Sequence, residues 1–537
     1  MRRDVGRSRS WQSKKSVTSD PTGKFQDLQS LCDAQFLTRR ADETIRQQDV
    51  RSQPMRMPLY LTLDQGGHAS RCLIFSASGE VVAAAERAIT TLTPQPFWVE
   101  HDAEELVRSV YESQVDALTQ LGPAAQQIVA AGLATQRSSI VAWDRLTGTA
   151  LTPVISWQDR RAAEWLQTNL HEHTAEIRTR TGLPLSPHYG ASKLRWCLDH
   201  VPAVQAARDA KRLCMGPLAS FLIFRLTNEH RCLADPANAS RTLLWNIHQR
   251  GWDPWLCDQF GIAQNVLPDS VPSHFPFGTL INGEASEHAI PLNLVMGDQA
   301  AALYGQGLPQ PECIYINLGT GAFIQHVAEQ GSNQHLAPIP GLLTSVVYDS
   351  GDSCFYSTEA TVNGAGAALQ WFGAEYQQPD WQTQSAQWLL TPEPTSLFMN
   401  GVGGVGSPFW FPTLANEFIG DGTLAQRFRA VMESILFLLQ TNLQLLQNGR
   451  PQARHLVVSG GLSQSDWFCQ RLANLNQRSV RRSDASEATA RGLFTLLHDE
   501  TQETSPLATT QAFTPVPDPL LTQRYQQWRT EMAKRMG

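Results

Sequence analysis

Apolar and polar residues alternate from Leu59 to Asp64 and stop at the pair Gly66-Gly67, which predicts a strand entering a tight turn. Two further strands are predicted at 71–76 and 80–85, joined by the turn "SASGE". Such a meander favours antiparallel pairing. Leu106, Val110, Val115 and Leu118 recur near helical spacing, so a helix is expected over 103–121. The run "IVAAGLAT" at 128–135 predicts a buried strand, and "IVAWD" with a Thr-Gly turn follows it.

The opening pattern returns in the second half of the chain. "CIYINLGTGAFIQHV" at 313–327 again sets an apolar strand before a glycine-containing turn and a second strand. A third glycine turn, "LVVSGGLSQSDWF" at 456–468, joins a Val-rich strand to a helix. Phe428, Val431, Ile435, Leu439, Leu443 and Leu446 predict an amphipathic helix over 427–447, ended by Asn448-Gly449 and Pro451. The expected class is α/β, in two halves that each open with a hairpin. "GQGLPQPE" at 305–312 is the linker, and a cleft between the halves is the expected place for a small molecule.

Composition narrows the function classes. The 537 residues allow two or more domains, and 42% hydrophobic with 17% charged residues is ordinary for a globular chain. A net charge of -7 argues against a general nucleic-acid or membrane-surface binder. Nine cysteines without a CxxC pair point to reduced thiols in a cytoplasmic protein. No apolar run is long enough to span a bilayer. Residues 1–56 are basic, Ser-rich and without periodicity. They share an Arg- and Ser-rich start with organelle transit peptides, but acids follow and no amphipathic face forms. We read them as a disordered tail outside the fold.

Glycine at a hairpin tip lets backbone N–H groups approach an anion closely. Two such tips and a third strand-to-helix turn suggest a polyphosphate held from several sides. GxxxxGK[ST] is missing, which excludes a P-loop enzyme, and no GxGxxG opens a βαβ unit. Asp64 stands beside the first tip. It is either a turn-capping acid or a group that meets phosphates through a divalent cation. Asp298, in "LVMGDQAAALYGQG", is either a helix N-cap or a general base for a substrate hydroxyl.

Eleven ordered stretches carry a resemblance, among them "LDQGGHASR" at 63–71, "TQRSS" at 135–139, "ISWQDRR" at 155–161, "SKLRWCLDH" at 192–200, "GDQAAALYGQ" at 297–306, "NLGTGAF" at 317–323 and "SGGLSQS" at 459–465. Over about 59–498 the chain resembles the FGGY family of carbohydrate kinases, and within it the branch that phosphorylates glycerol. The resemblance implies two actin- and hexokinase-like (ribonuclease H-like) domains with an interdomain cleft. It implies ATP, Mg²⁺, and transfer of phosphate to a hydroxyl of glycerol or a related polyol or ketose. The expected domains are 57–307 for substrate and one phosphate loop, and 308–500 for nucleotide, followed by an extension over 501–537. A homo-oligomer is common in the family. The alternative is a non-catalytic sugar- or nucleotide-binding regulator on the same fold.

Residue by residue, the resemblance makes Asp298 the catalytic base and Gln299 its neighbouring substrate contact. Arg137, Ser138, Trp157, His188 and Phe323 fall at further substrate positions; for Trp157 and Phe323 the other reading is core packing. Asp64 falls at the acid near the metal. Gly66, Gly67, His68, Arg71, Gly319, Thr320, Gly321, Gly461 and Ser465 fall at nucleotide positions. The chain departs from the pattern in places. Gly66-Gly67-His68-Ala69 replaces a tip that is typically Gly-Thr-Thr-Ser. His68 either donates a ring N–H to phosphate or caps the turn. Ser138 replaces a glutamate that accepts from two hydroxyls, and its shorter side chain leaves room for a longer polyol or a ketose. The family's substrate tyrosine falls at or beside His188, next to Tyr189.

Overall fold

Both glycine-tipped hairpins form where the alternation places them. A computed structural model describes residues 57–536 except 284, 286, 328–337, 393, 449–452, 484–486 and 499–508, so the expected N-terminal tail lies outside the described residues. From residue 57 onward the chain forms one compact unit with two α/β lobes.

The first lobe is built on a mixed six-stranded sheet. Its spatial order is His274–Thr279, Pro291–Gly297, Ile128–Thr135, Leu59–Gln65, Ala69–Ser76 and Val81–Ala88. The meander at 59–88 is antiparallel as expected, but Leu59–Gln65 also runs parallel to Ile128–Thr135. That central position explains a difference from the sequence pattern. Alternation predicts one wet face, yet every residue of Leu59–Gln65 is buried. Leu61 and Leu63 pack with Leu106 and Val110 of helix Ala103–Leu121. On the opposite face Tyr60 meets Phe494 and His498 edge-on, with ring centroids 5.6 and 5.2 Å away. The polar Thr62 is satisfied by its own sheet, donating to the Leu73 carbonyl at 3.1 Å.

A seven-stranded sheet centres the second lobe, in the order Leu343–Asp349, Cys354–Val362, Ala322–Val327, Cys313–Leu318, His455–Ser459, Ser479–Ser483 and Thr509–Phe513. Helix Leu424–Gln447 starts three residues ahead of the apolar pattern because Thr423 and Gln426 form a reciprocal capping box. The C-terminal segment joins this lobe. Thr509–Phe513 pairs at the sheet edge, and helix Pro519–Met536 buries Leu521, Tyr525, Trp528 and Met532 in the same core as Phe437. Arg524 on that helix donates to the buried Glu433 at 2.8 Å.

Candidate functional site

Strand register brings the first group of candidate residues together. Gln65 pairs with Thr135, and Thr135 pairs with Gly297, so three parallel strands end side by side. The residues at and just beyond those ends are Asp64, Arg137 and Asp298. The carboxyl ends of parallel strands are where α/β sheets present ligand groups. Gly297 is needed here for space: a Cβ at this position would stand 2.5 Å from the Arg137 side chain. Its absence lets the Arg137 stem cross the strand end and bring Nε to 3.8 Å from Asp298 Oδ1.

Asp298 is the first residue of helix Asp298–Ala302, and its Oδ1 accepts from the Gln299 N–H at 2.7 Å. Its side chain is 24% exposed. Even so, loss of bulk water holds the carboxyl above the usual aspartate range, against the opposing pull of Arg137 and the Gln299 N–H. Asp64 is buried, and burial followed by repulsion from Asp298 pushes its pKa up to about 7. Asp64 therefore feels the charge of Asp298. Among the described residues no three His, Cys, Asp or Glu side chains group to hold a metal ion by themselves.

Around these acids lies a charge network that joins the lobes. Glu359, on strand Cys354–Val362, accepts from Arg137 Nη1 and Arg241 Nη1, each at 3.2 Å. Gln325 and Ser357 donate to it at 3.0 and 3.2 Å. Burial opposes its ionisation, but the two guanidiniums win and hold its pKa down at about 2. Phe323 shares a strand face with Gln325, which places it beside this network. Glu359 and Arg241 were not singled out in the sequence. The faint signal was a lone acid inside the otherwise uncharged strand "CFYSTEATV".

The remaining acceptor-side candidates sit on adjoining loops. The Trp157 and His188 rings are 5.6 Å apart, and the His188 ring meets Tyr189 at 5.0 Å. Burial holds the His188 imidazole well below its ordinary range, helped by Arg241, Lys193, Arg160 and Arg137, so the ring is neutral at physiological pH. Ser138 adopts a left-handed backbone, φ 65°. Its hydroxyl is sealed from solvent and hydrogen-bonds to none of the described residues, whereas its carbonyl is engaged by Lys193.

The nucleotide candidates divide in the same way. Gly66 closes the first tip by donating to the Ala69 carbonyl at 2.9 Å, and a Cβ at Gly67 would meet nothing within 4 Å. His68 is exposed. Arg71 is committed to Glu86 at 2.8 Å, with Glu487 at 4.0 Å. In the second lobe, Asn317 pairs with Ser459, so the tip Gly319-Thr320-Gly321 and the turn at Gly461 end neighbouring parallel strands. A Cβ at Gly461 would also meet nothing within 4 Å. The Ser465 hydroxyl caps its own helix, accepting from the Phe468 N–H at 3.3 Å.

Known proteins are similar to this chain in sequence and in fold. The N-terminal domain model of the FGGY family of carbohydrate kinases matches residues 59–305, and the C-terminal domain model matches 314–497. Glycerol kinase of Methylobacterium nodulans is 35% identical over 445 residues, covering 81% of this chain and 88% of the relative. Glycerol kinase of Alcanivorax borkumensis is 32% identical over 500 residues, covering 89% and 98%. In fold, the chain is similar to Plasmodium falciparum glycerol kinase with ADP, at TM-score 0.80 and 22% identity, covering 89% of this chain and 98% of that one. It is also similar to a xylulose kinase from Lactobacillus acidophilus, at TM-score 0.76 and 19% identity, covering 89% and 97%.

Proposed function

The chain belongs to the FGGY family of carbohydrate kinases, and from that premise we propose that it transfers the γ-phosphoryl group of ATP to a hydroxyl of glycerol or a related polyol or ketose. The observation that carries this reading is the position of Asp298. A carboxyl with raised proton affinity stands beside a buried arginine at a strand end, a suitable acceptor for a hydroxyl proton. A regulator that only binds sugar or nucleotide has no need of such a base.

In this reading Arg137 and Gln299 orient the acceptor, and Trp157, His188 and Phe323 wall its carbon chain. Asp298 accepts the hydroxyl proton as the phosphoryl group moves, with little covalent chemistry asked of the protein. The N–H groups of the tips at Gly66–Gly67 and Gly319–Gly321, with the Thr320 hydroxyl, cradle the phosphates, and Gly461 lies at the adenosine end. The donor set suits Mg²⁺. Asp64 and Asp298 repel each other, and a divalent cation relieves that repulsion. Asp64 would hold it through water, and when bound it neutralises phosphate charge.

No helix among the described residues is long and apolar enough to cross a membrane, and the eight described cysteines are all free. Free thiols fit work in the cytoplasm, and a homo-oligomer fits the family. The test is ATP-dependent phosphorylation of glycerol, xylitol, D-xylulose and gluconate, followed as acceptor-dependent ADP release. Asp298→Asn is expected to lower kcat by about 10²–10⁴-fold while nucleotide still binds. Nucleotide binding without acceptor-dependent ADP release from the unsubstituted protein would refute the reading.

A further inference from the structure

Three main-chain carbonyls from separate segments converge on one ammonium. Lys193 belongs to helix Gly190–His200, and its side chain is fully buried. Its Nζ donates to the carbonyls of Ser138 at 3.0 Å, Ser156 at 2.9 Å and His188 at 2.8 Å. An ammonium has three N–H donors, so all are used and none points at a ligand. None of the three acceptors is a carboxylate. Burial, and after it the nearby Arg160, hold the proton affinity of Lys193 well below the lysine range. A buried cation without a direct counter-ion is costly, and an apolar side chain would fill the space at lower cost. What an apolar side chain does not supply is the three bonds.

Each bond fixes a segment that carries a candidate acceptor-side group. Ser138 follows Arg137, Ser156 precedes Trp157, and His188 is itself a candidate. The left-handed backbone at Ser138 is disfavoured for a residue with a Cβ and persists only where its surroundings hold it. Its hydroxyl offers no anchor, so the carbonyl bond to Lys193 is the side-chain contact that secures it.

We propose that Lys193 is a positioning residue for the acceptor substrate: by gathering the carbonyls of Ser138, Ser156 and His188 it sets Arg137, Trp157 and His188 relative to Asp298. It touches neither substrate nor nucleotide. The inference rests on the kinase reading above. A misplacement of about 1 Å in an orienting group costs on the order of 10²-fold in rate, so a short polar anchor has a large lever.

The test uses the full-length enzyme with ATP and either glycerol or D-xylulose. Lys193→Gln keeps two N–H donors on a shorter stem, and Lys193→Arg keeps the charge in a planar shape that cannot form the tripod. In both, the KM for the acceptor rises about tenfold or more, while the KM for ATP stays within about twofold. In an Arg137→Ala background the same substitutions change kcat/KM by less than about threefold, because residues that act through one another are not additive. A purely structural lysine would instead lower Tm and the active fraction, leave both KM values unchanged, and add its effect to that of Arg137→Ala. An unchanged acceptor KM in either variant that still melts cooperatively overturns the proposal, as does additivity in the double variant. Absence of turnover in the unsubstituted enzyme removes the kinase reading and this inference with it. Turnover with unchanged KM removes the inference alone.

Discussion

The tip at Gly66–His68 is flanked by ionic side chains, whereas the tip at Gly319–Gly321 is flanked by none. In the first hairpin Asp64 pairs across the ladder with Arg71. In the second, Leu318 pairs with Ala322 and Asn317 with Phe323. Their bracing differs as well. The second tip is clamped by helix Gly366–Glu375, whose Gly366 and Ala367 N–H groups donate to the Gly319 and Thr320 carbonyls at 3.0 and 2.9 Å. The first tip is held from its base, where Gln65 donates to the Gly66 carbonyl at 2.7 Å and the Ile89 N–H to the His68 carbonyl at 3.0 Å, but a side chain on Gly67 at its apex would meet open space. One local shape thus serves two ends: a charged and roomy loop, and a neutral loop set rigidly by its neighbours.

Removing the charge from the first tip is the strongest way to break this contrast. In the folded protein Asp64 has its pKa raised to about 7 from a usual 3.8. The folded state therefore binds the proton more tightly than the unfolded chain. Its contribution to stability is fully present below about pH 4 and is lost as pH rises to about 7. Asp64→Asn should match the parent in urea unfolding at pH 4 and exceed it at pH 8 by up to about 4 kcal/mol. Saturating Mg-ATP should narrow that gap, because a cation beside the carboxylate favours its ionised form. The same variant should lose turnover. An acid that weakens the fold and is still required would mark it as functional. Equal stability gains at pH 4 and pH 8 would show that burial of its charge is not the cause.

The clamp on the second tip gives the next effect. A Cβ at Gly366 would lie 2.7 Å from the Gly319 carbonyl oxygen and 3.4 Å from the Thr320 Cα, both backbone atoms of the tip. Gly366→Ala has to push the tip away, at a cost of about 1–3 kcal/mol. The KM for ATP should rise about tenfold with the acceptor KM unchanged. Unchanged KM values in a stable variant would mean that this tip does not hold phosphate.

Much of this was legible beforehand, because it is local. The hairpins, the helix at 103–121 and the strand at 128–135 follow from periodicity, and Asp298 stands out by its place after a strand and a glycine. The missing part depends on long-range partners. Arg137 and Glu359 are 222 residues apart, and nothing near Glu359 in the sequence marks it as a bridge between lobes. Lys193 is similar: a lysine in a mixed helical segment reads as exposed, and only the fold brings three carbonyls to it. Ser138 shows the reverse. Its side chain drew notice, but its backbone is the part in use. The packing of the C-terminal helix is hidden in the sequence because its buried face, Leu521, Tyr525, Trp528 and Met532, is interrupted by Arg524. The arginine is buried because Glu433 and the carbonyls of Pro394 and Ser396 accept from it.

Gly67 gives the smallest and most selective effect. Its φ lies outside the left-handed region, and a Cβ there would meet nothing within 4 Å. Neither strain nor collision then opposes a side chain, so Gly67→Ala should not lower stability. Reduced backbone freedom in the unfolded chain could add about 0.4–1 kcal/mol in its favour. The consequence falls on ligand approach alone. If the Gly67 N–H meets phosphate closely, the added methyl should raise the KM for ATP by about two- to fivefold and leave the acceptor KM alone. The matching change in the second tip, Gly321→Ala, would set a Cβ 3.0 Å from the Val362 carbonyl oxygen, so there a fall in stability should accompany the rise in KM. A stability loss at Gly67 equal to that at Gly321 would mean that the apex of the first tip is not open, and the contrast between the tips would fail.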